Sequence, residues 1–188
     1  MSSVVAVALF AAVLPGSISA DGERVAFSED PDQVVLQFFV TGSYRADDVL
    51  FTVYGDGRLV YQKFLLTINQ VIEEKRVQIG WDGVDQLLQI YAVDYNLLDC
   101  GTGCIGSKVR ASLGIEKLPR SSDGSEVLIR FDILVDRGHG LGALPLQKEV
   151  RLHSAGMLSR ICPEVRELQG IQELRKSLLE YANEGGAK

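Results

Sequence analysis

Leu50-Phe51-Thr52-Val53-Tyr54-Gly55-Asp56-Gly57-Arg58-Leu59-Val60-Tyr61 is the stretch on which the reading of the fold turns. β-Branched and aromatic residues fill Leu50 to Tyr54 and again Leu59 to Phe64, which predicts two strands. Gly55-Asp56-Gly57 lies between them, and Asp-Gly between two such runs is the strongest short-range hairpin signal. Val34 to Val40, VVLQFFV, is a strand of the same kind just upstream, and Thr41-Gly42-Ser43 breaks it. Downstream, Val71 to Ile79 reads as a strand with Glu73, Lys75 and Gln78 on its wet face. Its charges suit the edge of a sheet, where they oppose aggregation.

Beyond Ile79 the period changes. Val84, Leu87, Leu88, Tyr91, Tyr95 and Leu98 recur at helical intervals, and Asp82 stands before them as an N-cap candidate. Lys108 to Ile115 and Glu126 to Val135 read as further strands, joined by the polar loop Pro119 to Ser125. Gly138 to Gly142 reads as a flexible loop, and Gln147 to His153 as a last strand. Pro163 suits the first turn of a helix. That helix carries the stripe Val165, Leu168, Ile171, Leu174, Leu178 and Tyr181, and Gly185-Gly186 ends it. Strands, helix, strands, helix is a poor order for a doubly wound parallel sheet. The expected fold is α+β: a mostly antiparallel sheet of about five to seven strands with two amphipathic helices packed on one face.

The 188 residues suit a single domain, and 46% hydrophobic residues suffice for a core. A formal net charge of −6 disfavours nucleic acid and anionic membrane surfaces as partners. Residues 1–20 carry no charged side chain. Val4 to Leu14 is apolar throughout, Pro15-Gly16 breaks it, and Ser17-Ile18-Ser19-Ala20 follows. This is the pattern of a signal peptide cut after Ala20, although its n-region has no Lys or Arg. A buried N-terminal strand or helix is the competing reading. The run is far short of the ~20 residues that span a bilayer, so no stable membrane insertion is expected after cleavage. The division is therefore 1–20 signal peptide and 21–188 one domain, exported to a periplasm or the exterior. N-terminal sequencing of the exported protein should begin at Asp21; an intact Met1 form recovered in the membrane would contradict this.

The run Val34 to Val40 followed by LFTVYGDGRLVY resembles a pattern of small uncharacterised exported bacterial proteins. In these a strand leads to a "tVYGDGrvvY"-type hairpin, then a helix, further strands and a closing helix. The resemblance implies a bacterial envelope setting and names no active site. Some of those proteins carry a cysteine pair between their first two strands. The corresponding stretch here, Thr41 to Asp48, has none, so no cysteine role carries over.

The chain has three cysteines, Cys100, Cys104 and Cys162. In an oxidising compartment two are expected to pair, and three single pairings are open. The short glycine-containing loop of Cys100-Gly-Thr-Gly-Cys104 favours the local pair. Cys162 is then unpaired: buried and inert, or, at a helix start beside Pro163, a reactive thiol able to make a dimer. A Cys-x3-Cys pair with a distant histidine is also a candidate metal or redox site, which makes Cys100, Cys104 and His139 weak metal-ligand candidates. The pair resembles that of copper-delivery proteins of thioredoxin fold, which carry Cys-x3-Cys-Pro. Here Ile105 replaces the proline, and the helix is expected before the pair rather than after it. Gly101-Thr102-Gly103-Cys104-Ile105-Gly106 matches G-x-G-x-x-G, yet the expected order of elements is the reverse of a dinucleotide site.

Catalytic signatures are scarce. His139 and His153 are the two histidines. No G-x-S-x-G or H-E-x-x-H occurs, and Ser154 adjoins His153 only in sequence. Asp94, Asp99, Asp132 and Asp136 fall near element ends, where acids can form catalytic pairs but more often cap turns. Trp81 and the tyrosines 44, 54, 61, 91 and 95 read as core or sheet aromatics. The expectation is a non-enzymatic domain that binds an unknown protein or small molecule and carries no cofactor. A thiol-based metal-binding or redox protein using Cys100 and Cys104 is the first alternative, and a hydrolase with an unrecognised site the second.

Overall fold

A computed structural model describes residues 24–42, 48–65, 70–118, 125–136 and 142–184. It contains seven strands: β1 (Arg24–Ala26), β2 (Val34–Thr41), β3 (Asp48–Tyr54), β4 (Arg58–Leu65), β5 (Gln70–Gln78), β6 (Glu126–Asp136) and β7 (Leu144–His153). The helices are α1 (Gly80–Leu87), which continues in π-type turns over Leu88–Asp94, α2 (Thr102–Leu113), α3 (Ala155–Ile161) and α4 (Arg166–Glu184).

All strand pairings are antiparallel. Across the sheet the order is β5-β4-β3-β2-β6-β7. β1 shares one side of β6 with β2, covering residues 134–136 where β2 covers 126–131. The fold is thus α+β with an antiparallel sheet, and β5 lies at an edge as expected, but Glu73 and Lys75 fall on its helix-covered side, where Lys75 reaches Asn183 of α4, and the more exposed side carries Glu74, Arg76 and Gln78.

Strict alternation in β6 sets the layers. Val127, Ile129, Phe131, Ile133 and Val135 are buried, and the residues between them face the other way. Register carries the buried face outward through Phe38, Phe51 and Tyr61, whose rings meet in sequence. Every helix contributes to the same core: Val84 and Leu87, Ile105 and Val109, Leu158, and the α4 stripe Leu168, Ile171, Leu174 and Leu178. A stretch in π-type turns turns Leu88, Tyr91 and Ala92 inward together. The helices therefore cover one face, and no described helix covers the other.

The hairpin at residues 54–57 is built as its sequence requires. The Gly57 amide donates to the Tyr54 carbonyl at 3.0 Å, and Gly57 has φ +82°. This is a turn closed by a left-handed glycine. Asp56 Oδ1 accepts from the Arg58 amide at 3.0 Å, and the Ile79 amide donates to the Gly57 carbonyl at 2.9 Å. The turn thereby holds the entry to α1.

Four helices stand where two were expected. Lys108 to Ile115 is not a strand: Lys108 to Leu113 is the second half of α2. Val109, Ala111 and Leu113 alternate like a strand, yet Ala111 is exposed, and the buried positions Ile105, Gly106 and Val109 follow helical spacing. Gly114, at φ +62°, ends the helix. The loop from Pro119 consequently joins a helix to β6, not two strands. α3 was not legible as a helix, although Ala155, Leu158 and Cys162 are spaced to share a face. Pro163 lies in the turn between α3 and α4 rather than inside a first turn. Asp82 is not an N-cap: α1 begins at Gly80, preceded by Ile79, without a side-chain cap. Leu98 lies beyond the regular helix, which ends at Asp94, although it is buried as expected. Trp81 is 49% exposed, so it is no core anchor. The proposed signal peptide, Tyr44, His139 and Gly185-Gly186 lie outside the described residues.

Candidate functional site

The helix-free face of the sheet carries the candidate site. Alternation that sends Phe38 and Ile129 into the core sends Phe39 and Leu128 to this face. Phe39 lies opposite both Leu50 and Leu128, so Leu128, Phe39 and Leu50 form one apolar row across β6, β2 and β3. All three are half-buried, as is Phe64 nearby. Gln37 and Arg130, opposite each other in the next row, divide two shallow depressions. One, of about 390 Å³, is floored by Phe39, Leu50, Phe64 and Leu128. The other, of about 320 Å³, lies toward Asp132, Gln147 and Glu149.

Most of the charge on this face is paired. Arg130 Nε donates to Glu149 Oε2 at 2.9 Å, and Arg151 bridges Glu149 and Glu126, each at 3.2 Å. The hydrogen bond from Arg130, aided by the charges of Arg130 and Arg151, holds the Glu149 carboxyl below its ordinary range. Asp132 accepts from Gln33 and Gln147 at 3.1 and 3.0 Å. On the far side Glu74 accepts from Gln62 and Arg76, both at 2.8 Å, and these bonds lower its pKa in the same way. Two hydrogen-bonded polar ladders thus flank an apolar row. Such a surface can adsorb a flat apolar group and orient it through Gln37 and Arg130.

The cysteines occupy the opposite side of the molecule. Cys100 and Cys104 are joined in a disulfide, Cys100 buried in the core and Cys104 exposed in the first turn of α2. Cys162 is free and wholly buried, at the end of α3. It does not start a helix, so no helix N-terminus activates it, and a dimer bridged through it is incompatible with its burial. The expected helix does precede the pair, as α1 and its π-type turns over Gly80–Asp94, but the pair opens a second helix, α2, instead of leading to a strand, and the residues directly before it form a turn. Gly103 and Gly106 lie inside α2, so the G-x-G-x-x-G glycines do not form a phosphate-binding loop between strand and helix.

Other sequence candidates do not converge. His153 is 71% exposed, with Nδ1 3.9 Å from Glu126 Oε2, while Ser154 is buried and turns away at φ +57°. Asp94 accepts from Gln89, and Asp132 from the two glutamines. Among the described residues no three of His, Cys, Asp and Glu are grouped to hold a metal ion. Nor is any described helix long and apolar enough to cross a membrane.

Sequence reasoning passed over Glu167. It sits in the first turn of α4, its side chain 2% exposed, and its Oε1 accepts from Lys108 of α2 and from Asn96. Burial pushes its pKa up, but the Lys108, backbone and Asn96 hydrogen bonds together hold it below the ordinary value. The sequence signal was available only as an acid opening a helix, which solvated caps share. No known family model matches the chain, and no curated protein is significantly similar to it in sequence.

Proposed function

We propose that the protein is an exported, non-enzymatic binding module whose ligand lies on the helix-free face of the sheet. The observation that carries this reading is the half-exposed row Leu128–Phe39–Leu50 between two polar ladders, each with ion pairs of its own. A buried apolar row would serve the core, and a solvated face would be polar throughout. A small amphipathic molecule fits best: its flat apolar part covers Phe39 and Leu50, and its polar end reaches Gln37 and Arg130.

Titrating the exported protein with small aromatic acids, amines and amides, followed by backbone amide resonances, tests the reading. Shifts are expected to cluster at Phe39, Leu50 and Leu128. In a Leu50→Gln variant of unchanged fold, affinity should fall about tenfold, the worth of one buried apolar group. Shifts concentrated instead in the cleft between α2 and β7, near Arg110 and His153, would overturn it.

A further inference from the structure

A disulfide that only staples a fold does best with both sulfurs shielded, and Cys100–Cys104 is not built that way. Cys100 is 1% exposed, whereas Cys104 is exposed on the outer surface of α2. Gly103, beside it, faces open space: apart from its chain neighbours and its own helix backbone, a side chain added there would meet no atom within 4 Å. The two halves of the bond thus differ, with Cys104 the residue that solvent and an incoming thiol meet. That half is also placed to be a stable thiolate once the bond opens. Cys104 sits in the first turn of α2, where free amides and the helix dipole favour negative charge. Lys108 follows one turn later on the same face, and the Lys148 side chain lies against Gly101. Glu167, bound to Lys108, and Asp99, next to Cys100, are the acids that temper this field.

Opening the bond need not open the fold. α2 is anchored independently, by Ile105 and Val109 in the core, by Lys108 on Glu167, and by Thr102 Oγ1, which accepts from the Arg151 amide at 2.8 Å.

We propose that Cys100–Cys104 is an exchange-competent disulfide that accepts two electrons from a dithiol, with Cys104 the sulfur attacked. A thiolate of the dithiol bonds to Cys104 Sγ, the Cys100–Cys104 bond breaks, and Cys100 leaves as a thiolate. The second thiol then attacks the mixed disulfide and releases Cys104 as a thiolate. The dithiol ends as a disulfide, and Cys100 and Cys104 end reduced. This activity is separate from binding on the helix-free face, which lies on the other side of the sheet.

The oxidised, exported protein is mixed without denaturant with glutathione, and in a second arm with a short peptide carrying two cysteines. Acid quenching and peptide mapping locate the adduct while circular dichroism follows the fold. The expected result is reduction with the fold retained and a transient adduct on Cys104. Faster exchange with the peptide at equal thiol concentration supports a protein thiol as the source of electrons; faster exchange with glutathione supports a small thiol. A bond that opens in neither arm until denaturant is added overturns the proposal, as does an adduct on Cys100. In the reduced wild-type protein, limiting iodoacetamide at pH 6 should label Cys104 at least tenfold faster than a cysteine in an unstructured peptide. Equal rates would remove the thiolate argument and with it the proposal. Because this arm uses no variant, a failure to fold cannot obscure it.

Discussion

Gly57→Val is expected to cost about 3 kcal/mol and to lower the denaturation midpoint sharply, without changing which face of the sheet is buried. Two effects combine. Gly57 has φ +82°, a conformation that a β-branched residue enters only with strain. Its missing Cβ would also lie 2.6–2.8 Å from the backbone of Gly80, itself left-handed at φ +72°. The two glycines let the hairpin and the start of α1 touch backbone to backbone, where the Ile79 amide reaches the Gly57 carbonyl. Gly57→Asn separates the effects, because asparagine tolerates the left-handed region. If close packing against Gly80 dominates, Asn is nearly as damaging as Val in chemical denaturation. A Val variant as stable as the wild type would show that the turn does not hold α1 in this way.

Lys108→Ala is expected to cost about 3 kcal/mol, toward the lower end for breaking a buried ion pair, because Lys108 is half exposed. The variant leaves the Glu167 carboxylate in the core with Asn96 as its remaining side-chain donor. Its Oε2 already meets no donor among the described residues. Adding Glu167→Gln should restore most of the loss, since a neutral amide costs far less to bury than an unpaired charge.

The same pair gives a signature in pH. In the wild type the folded-state pKa of Glu167 lies below its ordinary value near 4.5. Its contribution is therefore complete above the unfolded-state pKa and is lost as pH falls through the lower, folded-state one. In Lys108→Ala burial dominates, the folded-state pKa rises, and stability should instead improve from neutral pH toward pH 5. Urea midpoints measured from pH 7 to pH 4 check the sign. A parallel decline in both proteins would remove Glu167 as the cause.

Six of the seven strands were legible because period-two alternation of β-branched and aromatic residues leaves few alternatives, whereas β1, three residues long, offers too little alternation to be seen. The β3–β4 hairpin was legible because only glycine occupies a left-handed position without cost. α2 was misread for a physical reason. Val109, Ala111 and Leu113 alternate as a strand would, Val109 and Leu113 alone also suit a helix, and the burial of Gly106, which favours the helix, leaves no apolar mark. α3, short and made largely of small and polar residues, offers too little periodicity to stand out. Trp81 was misplaced because size alone does not say on which side of a helix start a residue falls.

The candidate site was less legible than the fold. Phe39, Leu50 and Leu128 look like core residues in isolation, and each strand alone shows only that its two faces differ. Which face receives the helices depends on where the chain crosses after β5, and that choice turned Phe38 inward and left Phe39 at the surface. Local composition by itself determined the antiparallel strands, the glycine turn, the α4 stripe and the nearness of Cys100 to Cys104, because each depends on residues a few positions apart. Tertiary packing alone decided that Cys104 is exposed while Cys100 and Cys162 are buried, that Lys108 meets Glu167 across 59 residues, and that no described helix covers one sheet face. Burial is set by what the rest of the chain brings to a position, and no local pattern contains that.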